Sequence, residues 1–150
     1  MVKDFSIISE IKSIREQMSI LSERERRLIK PILDDTSLIP TMFKWYCEMK
    51  GCCGIPERRE GTSFRQKFVF IVLFLYSPIA LVNGSIARGI RDVLAETLGF
   101  KSPTGISNLC TNMMFNYCNY KNYRTDIDGI YTDILNRLKA KGLIKSEAGS

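Results

Sequence analysis

Apolar residues in this chain recur mostly every three to four positions, the period of an amphipathic helix, and strand-like alternation is scarce. Ile7, Ile11, Ile14, Met18, Leu21 and Leu28 fall at alternating spacings of four and three, interrupted only by Glu25. Charged residues surround that seam: Glu10, Lys12, Arg15, Glu16, Glu23 and Arg24. The pattern predicts a long helix over residues 4–30 with a heptad face suited to a coiled-coil homodimer. Ile8, Ile20 and Ile29 widen the stripe, which also fits a helix packed on its own domain. Pro31 has no amide hydrogen for a helix interior and should end or kink this helix.

Asp35, Thr36 and Ser37 can cap a short aromatic-rich helix over residues 41–50. The run GCCGIPERREGT then concentrates glycine, proline and charge. Such a run reads as a boundary. It divides an N-terminal arm, residues 1–54, from a helical domain, residues 63–144, and residues 145–150 read as a loose tail. Ser63 can cap the next helix with Gln66 at the capping-box position. From Phe68 to Val82 only Tyr76, Ser77 and Pro78 interrupt the apolar run. These roughly 15 residues fall short of the ~20 that a bilayer needs. A buried core helix ending at Ser77-Pro78 is expected, and no membrane partner.

The next stretch has the outline of a helix-turn-helix. Ile86, Ile90, Val93, Leu94 and Leu98 make one face of a first helix, and Arg88, Arg91, Asp92 and Glu96 point outward. Gly99 supplies a left-handed turn residue, and Ser102-Pro103 suit the start of a second helix over residues 103–117. Its inward face is Ile106, Leu109, Cys110, Met113 and Tyr117. Its outward face is Thr104, Asn108, Thr111 and Asn112, with Phe115 nearby. Amides can pair with adenine and a threonine methyl can touch a thymine methyl, so this face suits base reading in the major groove. Ser102 and Thr104 at the helix start can add a phosphate contact.

Charge strengthens that reading. The net charge is +6, with residues 1–62 carrying 11 Lys/Arg against 10 Asp/Glu and residues 63–150 carrying 11 against 6. The positive excess accompanies the helix-turn-helix, as a phosphate-binding surface needs. Phosphate anchors are expected at Arg88, Arg91, Lys101, Lys121 and Arg124. Tyr117, Tyr120 and Tyr123 recur among the last two of these. They can stack on bases or seal the edge of the core. A last helix is expected over residues 125–141, ended by Gly142.

Candidate chemistry is sparse. The chain has no histidine, which removes the commonest general base and every Ser-His or Cys-His pair. No phosphate-loop or dinucleotide motif occurs. Cys47, Cys52 and Cys53 lack the paired spacing of structural zinc sites. No enzyme activity, metal or cofactor is expected. Five cysteines behind a charged, helical N-terminal stretch fit a reduced cytoplasmic setting.

Ala95, Gly99 and Ile106 resemble the small residue, turn glycine and buried β-branched residue of a helix-turn-helix. The seven-residue step from Gly99 to Ile106 is one longer than in the commonest repressors. It is similar to the DNA-binding domain of the bacterial replication initiator DnaA and, more loosely, to the Trp repressor-like superfamily. The run FRQKFVFIVLFLYSP also looks like that domain's preceding helix. The resemblance covers about 55 residues. It implies duplex DNA read by the second helix and by a basic turn residue, here Lys101. That family's turn signature is Arg-Asp-His-Thr-Thr, where this chain has Lys101-Ser102-Pro103-Thr104-Gly105, so the same DNA site is not implied.

The sequence thus predicts an all-α helical bundle containing a helix-turn-helix. Its expected role is a non-enzymatic double-stranded DNA-binding protein, a small transcriptional or replication regulator. The competing expectation is an α-helical assembly protein that does not bind DNA.

Overall fold

The computed structural model describes residues 4–51 and 58–144. It is all-helical, with no strand among the described residues. In chain order the helices are α1 (Ser6–Leu28), α2 (Ile39–Lys50), α3 (Arg58–Tyr76), α4 (Ala80–Asn83), α5 (Arg88–Leu98), α6 (Thr104–Leu109), α7 (Met113–Asn119) and α8 (Lys121–Ala140). Two compact units result, residues 1–30 and residues 31–150.

The first unit is α1. None of its residues is buried. Met18, Leu21 and Leu28 are 61%, 60% and 74% exposed, so the seam lies open to solvent. Glu23 pairs with Arg26 at 3.1 Å and Arg27 at 3.7 Å, both exposed contacts that add little stability.

The second unit begins where the Ile32 and Leu33 amides both donate to the Leu75 carbonyl, at 2.9 and 3.0 Å. This corrects the boundary expected at residues 51–62: the division falls after Lys30. The reason is packing. α2 buries Ile39, Met42, Trp45 and Tyr46 in the body's own core, against α3, α5 and α8. Asp35 caps the 3-10 turn leading into α2, accepting from the Ser37 amide at 3.0 Å.

α3 is the central element. Phe68 through Leu73 are buried in succession, so this part of the helix is apolar all round because neighbours cover it, and exposure returns at Phe74. Each such side chain contributes about 1.5–3 kcal/mol of burial. The helix ends at Ser77-Pro78 as expected, and none of the described helices is long and apolar enough to cross a membrane. The expected cap at Ser63 is not formed, because α3 already runs from Arg58 and Ser63 lies inside it. α8 lays Tyr123, Ile127, Ile130, Ile134 and Leu138 against the core. It starts at Lys121, four residues before the expected start, because extended backbone at Tyr120 separates it directly from α7.

Asp126 on α8 ties the bundle together. It accepts from Lys50 Nζ at 2.6 and 2.7 Å and from Lys67 Nζ at 2.7 Å. Burial alone would raise its carboxyl pKa. Hydrogen bonds and charge from the two lysines outweigh that and hold it below the usual carboxylate range. The sign follows: a lowered folded-state pKa stabilises above the unfolded-state value, and that stabilisation is lost as pH falls through the folded one. Asp126→Asn should therefore cost about 1–2 kcal/mol near neutrality. In urea unfolding, the gap from wild type should close below about pH 4. A gap that does not depend on pH would contradict the assignment.

Candidate nucleic-acid interface

The predicted motif occupies α5, the turn after it, and α6. α5 buries Leu94, Ala95 and Leu98 and half-buries Ile90 and Val93, whereas Ile86, expected on this helix, lies before its start at Arg88 and packs half-buried against the core. It closes in a Schellman arrangement: Phe100 N donates to Ala95 O at 2.8 Å and Gly99 N to Glu96 O at 3.3 Å. Gly99 has φ +77°, a left-handed conformation suited to glycine. Phe100 then folds over Gly105. A β-carbon at Gly105 would stand 2.7 Å from Phe100 Cδ1, so the turn is closed by a ring seated on bare backbone. The Arg65 guanidinium, on α3, lies over the Phe100 ring at 5.1 Å from its centroid.

The second helix is shorter than expected. Residues 103–117 do not form one helix: α6 ends at Leu109, a turn spans residues 110–112, and α7 starts at Met113. Asn112 has φ +71°, the only described non-glycine residue with positive φ. The cause lies on α3. In a continuous helix the Met113 amide would bond to the Leu109 carbonyl. Here Gln66 Nε2 donates to Leu109 O at 3.0 Å, and Met113 N turns to Cys110 O at 3.2 Å. Asparagine tolerates the left-handed region better than most residues, so the break falls at Asn112 at modest cost.

Gln66 is 92% withdrawn from solvent, with 8% of its surface exposed, and serves several elements. Its Oε1 accepts from Tyr123 Oη at 3.3 Å and from Asn116 Nδ2 at 3.5 Å. Burial, with a smaller contribution from Cys110, pushes the Tyr123 hydroxyl up to about 12, keeping it a donor. Burial likewise pushes the Cys110 thiol up to about 11, so it packs as an inert apolar group.

The inward and outward faces are as the sequence predicts. Ile106, Leu109 and Met113 are buried, with Cys110 and Tyr117 half-buried. Ser102, Thr104, Asn108, Thr111 and Asn112 are all exposed. The break changes their support: Thr104 and Asn108 stand on α6, whereas Thr111 and Asn112 stand on the turn. Ser102 Oγ accepts from the Thr104 amide at 3.3 Å. Among the basic candidates, Arg88, Lys101, Lys121 and Arg124 are exposed. Arg88 approaches Asp92 only at 4.0 Å. Arg91 is half-buried, and its Nε is buried without a hydrogen-bond partner. Lys121 and Arg124 lie one turn apart at the start of α8.

The tyrosine row divides. Tyr117 stacks on Phe70 at 4.7 Å and bonds to Asp128 at 3.2 Å, and Tyr123 is buried, so both seal the core. Tyr120 is 56% exposed and meets Phe115, itself 58% exposed, edge to face at 6.2 Å. Sequence reasoning gave Gln66, Arg65 and Asn116 no part in this surface; it set Phe115 near the outward face and Tyr120 among the possible stacking rings, without pairing the two. The recurring aromatics were the one signal for the pair.

Among the described residues no cluster of three His, Cys, Asp or Glu could hold a metal, and Cys52 and Cys53 lie outside them. The tail, residues 145–150, also lies outside the described residues. No protein-family model, no curated protein and no solved structure matches the chain.

Proposed function

We infer that the chain binds double-stranded DNA through α6 and the turn at residues 110–112, and pairs with a second copy through α1. The observation that carries the first part is the uncharged face of Thr104, Asn108, Thr111 and Asn112. It is exposed, while Ile106, Leu109 and Met113 are buried. Amides and hydroxyls held on a rigid backing are what base-edge reading requires. Lys101, in the turn, supplies the nearest phosphate anchor in sequence, with Arg88, Lys121 and Arg124 as further cations. Since α6 has six residues and spans about 9 Å, base reading is shared between it and the turn. The resemblance to the initiator's DNA-binding domain supports the same reading, in which the protein regulates transcription or replication by occupying a site.

The second part rests on the open seam of α1. A 23-residue helix with an apolar stripe and no buried residue needs a partner to be stable in water. A second copy offers the same heptad face.

Fluorescence anisotropy with labelled duplexes tests the DNA reading. Affinity should fall steeply with salt, and Lys101→Ala should reduce the log–log salt slope by about 1. Asn108→Ala should relax sequence preference and leave nonspecific binding nearly intact. An equal loss on every sequence would place the reading face elsewhere.

A further inference from the structure

Beyond the duplex-reading face lies a cleft of about 630 Å³ lined by Thr62, Ser63, Gln66, Asn112, Phe115, Asn116, Tyr120 and Tyr123. We propose that this cleft binds an unstacked nucleobase of a single-stranded nucleic acid, with Phe115 and Tyr120 as its stacking surfaces. The proposal rests on the chain's being a nucleic-acid binder but not on its recognising a duplex.

Its lining is the first argument. None of the eight residues carries a charge at neutral pH, so the cleft has no opposite charge for a phosphate, a carboxylate or a metal cation. It offers hydroxyls, three carboxamides and rings. A nucleobase is a flat, neutral, aromatic group with donors and acceptors along its edge, and such a lining complements it. Phe115 and Tyr120 are more than half exposed, a costly placement for two large rings unless something covers them. Base–aromatic stacking is the common use of such rings in single-strand binders.

The second argument is polar capacity. Gln66 Nε2 uses one hydrogen on Leu109 O and has no second acceptor among the described residues. Asn116 donates weakly to Gln66 at 3.5 Å, and its Oδ1 has no partner among the described residues. The Asn112 side chain likewise makes no hydrogen bond among them. Three carboxamides with bonding capacity left over therefore line one concavity, and the buried Gln66–Tyr123 bond fixes one of them. Asn112 is also the residue with left-handed backbone, and strain of this kind gathers at binding sites. It belongs both to the duplex-reading turn and to the cleft wall, so the two surfaces are continuous. Lys121 follows Tyr120 directly, and it and Arg124 are exposed without an ion pair among the described residues, placed for the flanking phosphates.

The test uses the full chain and three labelled probes at one fixed salt concentration: a twelve-nucleotide oligothymidylate, the same backbone with every base removed, and a random-sequence duplex. Wild-type protein should bind the oligothymidylate about 5- to 100-fold more tightly than the abasic strand. Phe115→Ala and Tyr120→Ala should each remove most of that advantage, whereas Tyr120→Phe, which keeps the ring, should retain it. Duplex affinity should change little in all three variants. Equal affinity for the abasic and base-bearing strands would overturn the proposal without reference to any variant. So would an advantage that survives both alanine changes. Duplex binding that fails while the base-dependent effect persists would remove the duplex reading and leave the cleft standing. Failure to bind any probe would remove both.

Discussion

Gln66→Leu is expected to lower the stability of the helical body by about 2–4 kcal/mol. Leucine fills similar volume, so little of this comes from a cavity. The loss comes from two buried polar groups left without partners. Leu109 O loses the donor now at 3.0 Å, and Tyr123 Oη loses the acceptor at 3.3 Å. Each buried orphan costs about 1–3 kcal/mol. The same change should release the α6–α7 break. With the side-chain donor gone, the Met113 amide can turn back to Leu109 O, which recovers part of that loss and lifts Asn112 out of the left-handed region, while Tyr123 Oη stays unpaired. Urea unfolding reads the first effect. Amide hydrogen exchange at Met113 reads the second, since a regained helical bond slows exchange there. Unchanged exchange at Met113 would mean that Gln66 does not hold the break, and unchanged stability that its buried bonds contribute little.

Ile14→Asp is expected to leave the chain monomeric at micromolar concentration, where wild type is expected to run as a dimer. The seam sets Ile7, Ile14, Leu21 and Leu28 on one heptad position and Ile11, Met18 and Glu25 on the other. Ile14 lies mid-seam, where both neighbouring layers are apolar. An aspartate there would have to be buried unpaired between two helices, a cost of several kcal/mol. Few residues contribute, so the pairing cannot absorb that. In a parallel pair, Glu10 and Arg15 stand five residues apart at the flanking positions that meet across the interface, a favourable contact. Glu25 is the weak layer, and Glu25→Leu should tighten the pairing. Light scattering across a dilution series measures all three. Identical masses for wild type and Ile14→Asp would reject self-association through α1. Unfolding of the body should be the same in both variants, since none of the α1 residues is buried.

Much of the candidate surface was legible in the sequence because it depends on local rules. Apolar spacing identified Ile106, Leu109 and Met113 as inward and Thr104 and Asn108 as outward. Gly99 announced the turn, and Ser77-Pro78 the end of the core helix. The break at residues 110–112 was not legible. No glycine or proline marks it, and its cause, Gln66, lies 43 residues before the carbonyl it takes. Likewise Ser63 has the chemistry of a cap, but α3 continues through it. Residues 51–62 look like a domain boundary by composition. What assigns α2 to the body is the burial of Met42, Trp45 and Tyr46 against helices far along the chain. Those are tertiary facts, and local patterns do not contain them.

On the function proposed above, the exposed amide and hydroxyl face of α6 and its turn reads duplex DNA. Selection of bound fragments from a random duplex library tests it most directly. The prediction is an enriched motif, present as two half-sites about one helical turn apart if α1 pairs the chains symmetrically. That motif should lose definition with Asn108→Ala but not with Ile14→Asp, which should instead reduce it to a single half-site. Recovery of no enriched sequence from a low-salt selection, with no retention of duplex over background, would contradict it.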